Sequence, residues 1–139
     1  MDIKKTTNKL SNKYKTADPF LLAKELDILV VFENLGSILG YFDMHFRMKT
    51  IHINENAPED LKEFICAHEL GHAILHAKVN TPFLSAYTLC SVGKIERQAN
   101  TFAVELLLND DYIRENEGCS LYDLASSRGI PRQFINLKK

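Results

Sequence analysis

The sequence predicts an α+β fold, in which a small three-stranded sheet, mixed or antiparallel, packs against one central helix and further helices. Three short runs with the composition of strands lie together between residues 28 and 54. Segments with apolar residues at helical spacing precede and follow them. The chain has 139 residues, 45% of them hydrophobic and 25% charged, which is ordinary for a globular protein and sufficient for one domain with a core.

The N-terminal part combines helices with the first strand. The polar N-terminus is expected to be partly helical. Asp18 and Pro19 form a helix-start signal, because aspartate caps free backbone N–H groups and proline fits the first turn. This helix is predicted to stop near Asp27. Residues 28–33 are rich in β-branched side chains and predict a strand, and residues 34–40 hold two glycines and predict a turn or bend.

The middle of the chain completes the sheet and starts the central helix. Residues 41–54 predict two strands joined by a turn near residues 47–49. Pro58 opens a helix that is predicted to run to about Ala77, with acidic residues in its first turn. Residues 78–94 form a long connector that is too apolar for a flexible linker.

The C-terminal part is predicted to be helical. A second strong helix covers about residues 95–108, and a short helix follows it. The last segment predicts a helix, a turn at Gly129 and another helix near Pro131, a rhythm typical of helix-turn-helix proteins. Before the terminal lysines the second helix offers Arg132 and few other basic residues. We therefore expect this segment to pack on the core or to dock a protein substrate.

Composition excludes several classes of protein. The formal net charge of −1 argues against a generic nucleic-acid binder, although basic residues near both ends leave a local patch open. No apolar run approaches the length of a membrane span, and the N-terminus lacks the apolar core of a signal peptide. Cys66, Cys90 and Cys119 form no CxxC pair, which fits a reduced cytosolic protein. The expected location is the cytoplasm, with no membrane association and no DNA binding.

The motif HELGHAILH, residues 68–76, predicts a metal site on the central helix. His68 and His72 are one turn apart, so both imidazoles can reach one ion. Glu69 lies about 100° round the helix, where it can hold a metal-bound water and take its proton. The alternative is a surface helix with incidental histidines. The helix is apolar nearly all round and therefore buried, and buried histidines beside a buried glutamate are costly without a partner.

The third metal ligand is less obvious. His76 is adjacent, but it lies roughly 12 Å along the axis from His68, too far for one ion. In ERQANTFAVELLL, Glu96 and Asn100 share one face with two alanines that allow close helix contact. Glu96 could reach the metal while Asn100 hydrogen-bonds near it, or Glu96 could be a solvated first-turn residue favoured by the helix dipole. Gly71 could be incidental or could let a neighbouring helix or strand approach closely.

These two segments resemble the ImmA/IrrE family of metallopeptidases. The family signature is HExxH with a downstream ExxAN-x-FA-x-x-LL segment, which HELGHAILH and ERQANTFAVELLL match. The resemblance extends upstream through KTIHINEN and covers about residues 18–111. Asn109 stands where the family often has proline, a departure that affects only the end of a helix. We therefore predict a single metallopeptidase domain over residues 1–139, with residues 112–139 as a C-terminal helical segment.

The resemblance implies a site and an activity. It implies that His68, His72 and Glu96 bind one Zn²⁺ in a gluzincin-like set on a zincin-type helix, and that Glu69 is the general base. Manganese, iron or cobalt would also suit such ligands. It further implies an intracellular endopeptidase of a phage or mobile element that cleaves a helix-turn-helix repressor. The alternative is an antirepressor that binds a transcription factor without cutting it, with a structural or vestigial metal; the intact Glu69 speaks against this.

The strand over residues 50–54 is expected to lie nearest the metal helix. Zinc proteases commonly use an exposed edge strand to bind substrate through its main chain. The candidate substrate-binding residues are therefore Ile51, His52, Ile53 and Asn54. His52 could face the cleft or solvent, and Asn54 could instead close the turn into the helix through its side chain.

Overall fold

The predicted α+β architecture is confirmed in the computed structural model, which describes residues 1–78, 84–85 and 93–139. The helices of this part of the chain are α1 (Ile3–Tyr14), α2 (Pro19–Glu25), α3 (Lys62–Leu75), α4 (Lys94–Leu107), α5 (Asp110–Glu115) and α6 (Leu121–Ser127). The strands are β1 (Leu29–Glu33), β2 (Ile38–His45), β3 (Met48–Asn54) and the two-residue β4 (Leu84–Ser85). Short 3-10 helices cover Glu59–Leu61 and Arg132–Leu137. Most of the predicted connector, including Cys90, lies outside the described residues.

The sheet has the order β1-β3-β2-β4 and is mixed. β3 runs parallel to β1 and antiparallel to β2, and β2 runs antiparallel to β4. The β2–β3 hairpin turns at Phe46 and Arg47, whose φ angles of 50° and 68° form the left-handed pair of a tight hairpin turn. The turn predicted over residues 34–40 is too long, because β2 already begins at Ile38.

The expectation that residues 50–54 form an exposed edge strand is wrong. β3 is a central strand with a hydrogen-bonded neighbour on each side, so Ile51, His52, Ile53 and Asn54 offer no free backbone edge to a peptide. Ile51 and Ile53 are fully buried in the core. β1 takes the second side of β3 in a parallel pairing, which no local pattern in the sequence encodes. These four residues therefore cannot bind a peptide through backbone pairing in the way that an edge strand would.

The side chains of His52 and Asn54 have structural partners. The imidazole of His52 alternates with the buried isoleucines and lies on the opposite face of the sheet. Its Nδ1 is 2.6 Å from Glu33 Oε1 and its Nε2 is 3.0 Å from Asp43 Oδ2. Asn54 Oδ1 accepts from the backbone N–H of Asn56 at 2.9 Å, which closes the turn after β3 as one interpretation of the sequence predicted.

The core lies where α3 packs between the sheet and α4. Every residue of α3 from 64 to 73 is buried, in agreement with its apolar sequence. Gly71 allows the close approach of α4, because a Cβ at this position would lie only 3.0 Å from Phe102 Cβ. Of the two interpretations of Gly71, the structure thus supports helix contact.

The C-terminal segment packs on α3 and α4. The Phe134 ring stacks on Phe64 with centroids 5.7 Å apart, and Arg128 Nε donates to Glu63 Oε1 at 3.0 Å. The predicted second helix is a 3-10 helix whose Phe134 and Ile135 are buried. Within the described ranges no helix has both the length and the apolar character to cross a bilayer.

Candidate metal centre

Two helices bring three potential metal ligands together. α3 carries His68 and His72 on consecutive turns, where the four-residue spacing stacks their rings on one side. α4 carries Glu96 in its first turn and faces α3 at the point where Gly71 leaves room for Phe102. The absence of a side chain at Gly71 thus permits the helix separation at which a glutamate reaches the histidines.

The three side chains converge on a small volume. Glu96 Oε2 is 3.1 Å from His68 Nε2, and Glu96 Oε1 is 2.9 Å from His72 Nε2. One ligand atom from each residue lies within 4.8 Å of the others. Both imidazoles are fully buried and Glu96 is 4% exposed. Glu96 is therefore not the solvated helix-dipole residue that spacing alone had left open.

The convergent atoms lack hydrogen-bond partners among the described residues. Nε2 of His68, Nε2 of His72 and both carboxylate oxygens of Glu96 are buried, and the short separations between them do not have hydrogen-bond geometry. Leaving one buried polar group unsatisfied costs about 1–3 kcal/mol. An ion between them would satisfy all three groups, and two imidazole nitrogens with a carboxylate are a donor set that suits zinc. The residues present therefore fit a divalent metal.

His68 is oriented by a hydrogen bond from α4. Its Nδ1 lies 2.7 Å from Asn100 Oδ1, and both groups are buried. Because the amide oxygen can only accept, Nδ1 donates its proton to Asn100, and Nε2 is the atom that would face a metal shared with Glu96 and His72. Asn100 thus lies one turn after Glu96 on α4 and contacts the first histidine of the motif.

Electrostatics in the centre favour an ionised Glu96. Burial opposes the charge, but the His68 and His72 imidazoles outweigh burial and lower the Glu96 pKa to about 2. Burial lowers the pKa of His72. At His68, burial acts in the same direction, but Glu96, Glu69 and Asn100 outweigh it and raise the pKa. A metal that binds His68 must therefore displace a proton from its ring, so metal binding becomes more favourable as pH rises.

Glu69 lies beside this centre with its carboxylate free. It is fully buried, and neither of its oxygens has a hydrogen-bond partner among the described residues. Burial raises the Glu69 pKa to about 8, the nearby charge of Glu96 adds to the rise, and His68 opposes it. A carboxyl group that changes its protonation near neutral pH is suited to take and return a proton.

Gly40 is a residue of the site that the sequence analysis missed. A Cβ on Gly40 would lie 2.7 Å from Ile65 Cγ2 and 2.8 Å from the His52 carbonyl oxygen, and 3.8 Å from Glu69 Cγ. Only glycine therefore lets β2 lie this close to α3 beside Glu69. The available signal was a glycine followed directly by strand residues, which is compatible with a close backbone approach as well as with a turn.

His76 lies outside the group of convergent atoms in the described part of the chain. It is buried, and its ring contacts His72 and Gln98 instead. This agrees with the distance argument that rejected His76 as a third ligand.

Comparisons with known proteins point to one family. A model of a peptidase family, described as the IrrE N-terminal-like domain, matches residues 23–138. Uncharacterized immunity region protein 2 of Bacillus phage phi105 is 44% identical over 139 residues, which cover 98% of this chain and 88% of that protein. Metallopeptidase ImmA of Bacillus subtilis strain 168 is 32% identical over 117 residues, which cover 80% of this chain and 68% of that protein.

Proposed function

Because the chain belongs to the peptidase family described as the IrrE N-terminal-like domain, we propose that it is a zinc-dependent endopeptidase that cleaves a protein in the cytoplasm. The observation that carries this proposal is the buried convergence of His68, His72 and Glu96, whose facing atoms have no hydrogen-bond partner in the described part of the chain. These three residues are the proposed ligands of one Zn²⁺. Glu69 is the proposed general base.

The chemistry follows from the positions of these side chains. A divalent metal held by His68, His72 and Glu96 would supply Lewis acidity, which would polarise a peptide carbonyl and let water lose a proton near neutral pH. Glu69 accepts this proton on a carboxylate oxygen and returns it to the nitrogen of the leaving amine. The buried surroundings keep bulk water away from the carboxylate, so the proton is passed to the amine instead of being lost to solvent. Asn100 keeps the His68 ring in its orientation throughout.

The proposed substrate is a helix-turn-helix repressor of a phage or mobile element. One relative is named as an immunity region protein of a phage, and another as a metallopeptidase. Both names fit the function that the ImmA/IrrE resemblance implies. The C-terminal segment is not proposed to bind DNA, because before the terminal lysines its last helix offers Arg132 and few other basic residues.

The test is whether the purified protein cleaves a helix-turn-helix repressor chosen from the genes that neighbour its own. We expect zinc-loaded protein to cut it, chelation to stop cleavage, and zinc to restore it. Glu69→Gln is the matched variant, because it keeps the size and burial of the side chain and leaves His68, His72 and Glu96 in place. We expect it to bind zinc but not to cleave. Cleavage that persists in Glu69→Gln would exclude the proposed mechanism.

The same experiment separates proteolysis from antirepression. A non-cutting antirepressor would relieve repression equally well with Glu69→Gln or after chelation, because neither change alters the exposed surface. If repression is relieved and the repressor remains intact in both cases, the protein acts by binding.

A further inference from the structure

A chain of side-chain contacts runs from the second histidine of the metal centre to α4. His76 Nδ1 lies 3.0 Å from His72 Nδ1, and His76 Nε2 lies 2.7 Å from Gln98 Oε1. His76 is the C-cap residue of α3 but is only 6% exposed. Neither His76 nor Gln98 has a part in the chemistry described above.

The hydrogen-bonding capacities along this chain allow one arrangement of protons. If His72 presents the Nε2 lone pair to a metal, its neutral ring carries the proton on Nδ1 and donates it towards His76. His76 must then accept with Nδ1, so its own proton is on Nε2. That N–H group points at Gln98 Oε1, which can only accept. Every contact in the chain is then satisfied without an additional charge.

We propose that His76 is a positioning residue of the metal centre, which fixes the tautomer and the ring orientation of His72 and is itself held by Gln98. This inference rests on the proposed function, because it takes His72 as a metal ligand. Ligating histidines usually donate their second ring N–H to such a partner, and loss of that partner commonly weakens metal binding 10- to 100-fold.

Both proposed histidine ligands are thereby tied to α4. His68 reaches Asn100 directly, whereas His72 reaches Gln98 through His76. Gln98 and Asn100 follow Glu96 by two and four positions, so one helix would provide a ligand and hold both other ligands in register. The third histidine of HELGHAILH then has a role although it is not a ligand itself.

The test compares zinc dissociation constants, measured by competition with a chromophoric chelator. We expect His76→Leu to bind zinc 10- to 100-fold more weakly than the unmodified protein. We expect His76→Asn to remain close to the unmodified protein, because its amide oxygen occupies nearly the position of Nδ1 and accepts the same N–H. His45→Leu is the matched control, since the His45 side chain is 78% exposed on the hairpin, and it should leave affinity unchanged.

Two further measurements distinguish positioning from a purely structural role. Nitrogen-15 NMR of the zinc-loaded protein should show His72 protonated on Nδ1 and His76 on Nε2. Thermal unfolding is measured on both variants without metal. We expect His76→Leu and His76→Asn to have similar stability, although His76→Leu binds zinc much more weakly.

The outcomes separate the two proposals. If the unmodified protein takes up no zinc, the proposed function fails and this inference with it. If the unmodified protein binds zinc and His76→Leu binds it as tightly, only the role of His76 is overturned. The role of His76 would also be overturned if its proton were on Nδ1. The same holds if the loss of zinc affinity in each variant were proportional to its loss of stability without metal.

Discussion

Gly129 ties the C-terminal segment to the start of the metal helix, and its replacement by alanine should destabilise the protein strongly. Its φ angle is +67°, in the left-handed region, and a Cβ at this position would lie 1.7 Å from the carbonyl oxygen of Asp60. Asp60 belongs to the 3-10 turn that leads directly into α3. The clash is with backbone, so a side-chain rotation cannot relieve it.

Gly36 separates the two contributions to this cost. Its φ angle of +62° is nearly the same, but a Cβ there would meet nothing within 4 Å. Gly36→Ala should therefore lower the free energy of unfolding only by the cost of a left-handed backbone, about 1–2 kcal/mol. A small gain from the stiffer unfolded chain reduces this loss. Gly129→Ala adds a displacement of backbone by more than an ångström, and we expect a total of about 3–5 kcal/mol.

The assay is urea and thermal unfolding of both variants without metal. For a domain of this size the expected loss in Gly129→Ala lowers Tm by roughly 10 °C or more, against a few degrees for Gly36→Ala. Because the segment after Gly129 buries Phe134 against Phe64, we also expect faster proteolysis near the C-terminus. Equal losses in the two variants would refute the argument that contact with Asp60 requires glycine.

Three other changes test the packing and charges around the site. Gly71→Ala gains about 1 kcal/mol of helix propensity but overpacks against Phe102 at a cost of about 1–3 kcal/mol; zinc titration should show weaker binding, and Phe102→Leu in the same chain should recover part of it. Lys138→Met leaves the buried Glu105 without its cation and should cost about 3–5 kcal/mol by urea unfolding, a loss that a second change of Glu105→Gln should reduce. Burial lowers the Lys138 pKa, but the carboxylates of Glu105 and Asp110 outweigh burial, so the pKa is raised. This contribution is therefore fully present below the unfolded lysine pKa of about 10.4 and is lost as pH rises through the higher folded pKa, so alkaline unfolding of the unmodified protein should be steeper than that of Lys138→Met. Zinc at 100 times its dissociation constant should stabilise the protein by about 2.7 kcal/mol, and Glu96→Gln should remove most of this gain; an equal thermal shift in Glu96→Gln would show that Glu96 is not a ligand.

The helices could be predicted from local signals because their ends and faces are encoded nearby. Asp18 caps α2 by accepting from the backbone of Phe20 at 2.9 Å, as its position before Pro19 predicted. α3 is apolar nearly all round, and its residues from 64 to 73 are all buried. The i, i+4 spacing of His68 and His72 is likewise a property of one helix, so the sequence was sufficient to place both rings on one side.

The sheet was predicted less well because pairing is not a local property. The turn before β2 was predicted too long, since the sequence cannot show that Gly40 lies under α3 with no room for a side chain. β3 is a central strand because β1 pairs with it in parallel, although β2 lies between the two in the chain. A strand pattern gives the alternation of faces but not the identity of both neighbours.

By itself, the sequence determined the family, the α+β class and the helix that carries the HExxH motif, because each depends on residues close together in the chain. Only the tertiary structure decided that Glu96 faces the two histidines, that Asn100 and Gln98 of α4 contact His68 and His76, and that β3 is closed on both sides. These contacts join α3 to α4 or strand to strand, and they exist because Gly71 and Gly40 permit distances that no local pattern specifies.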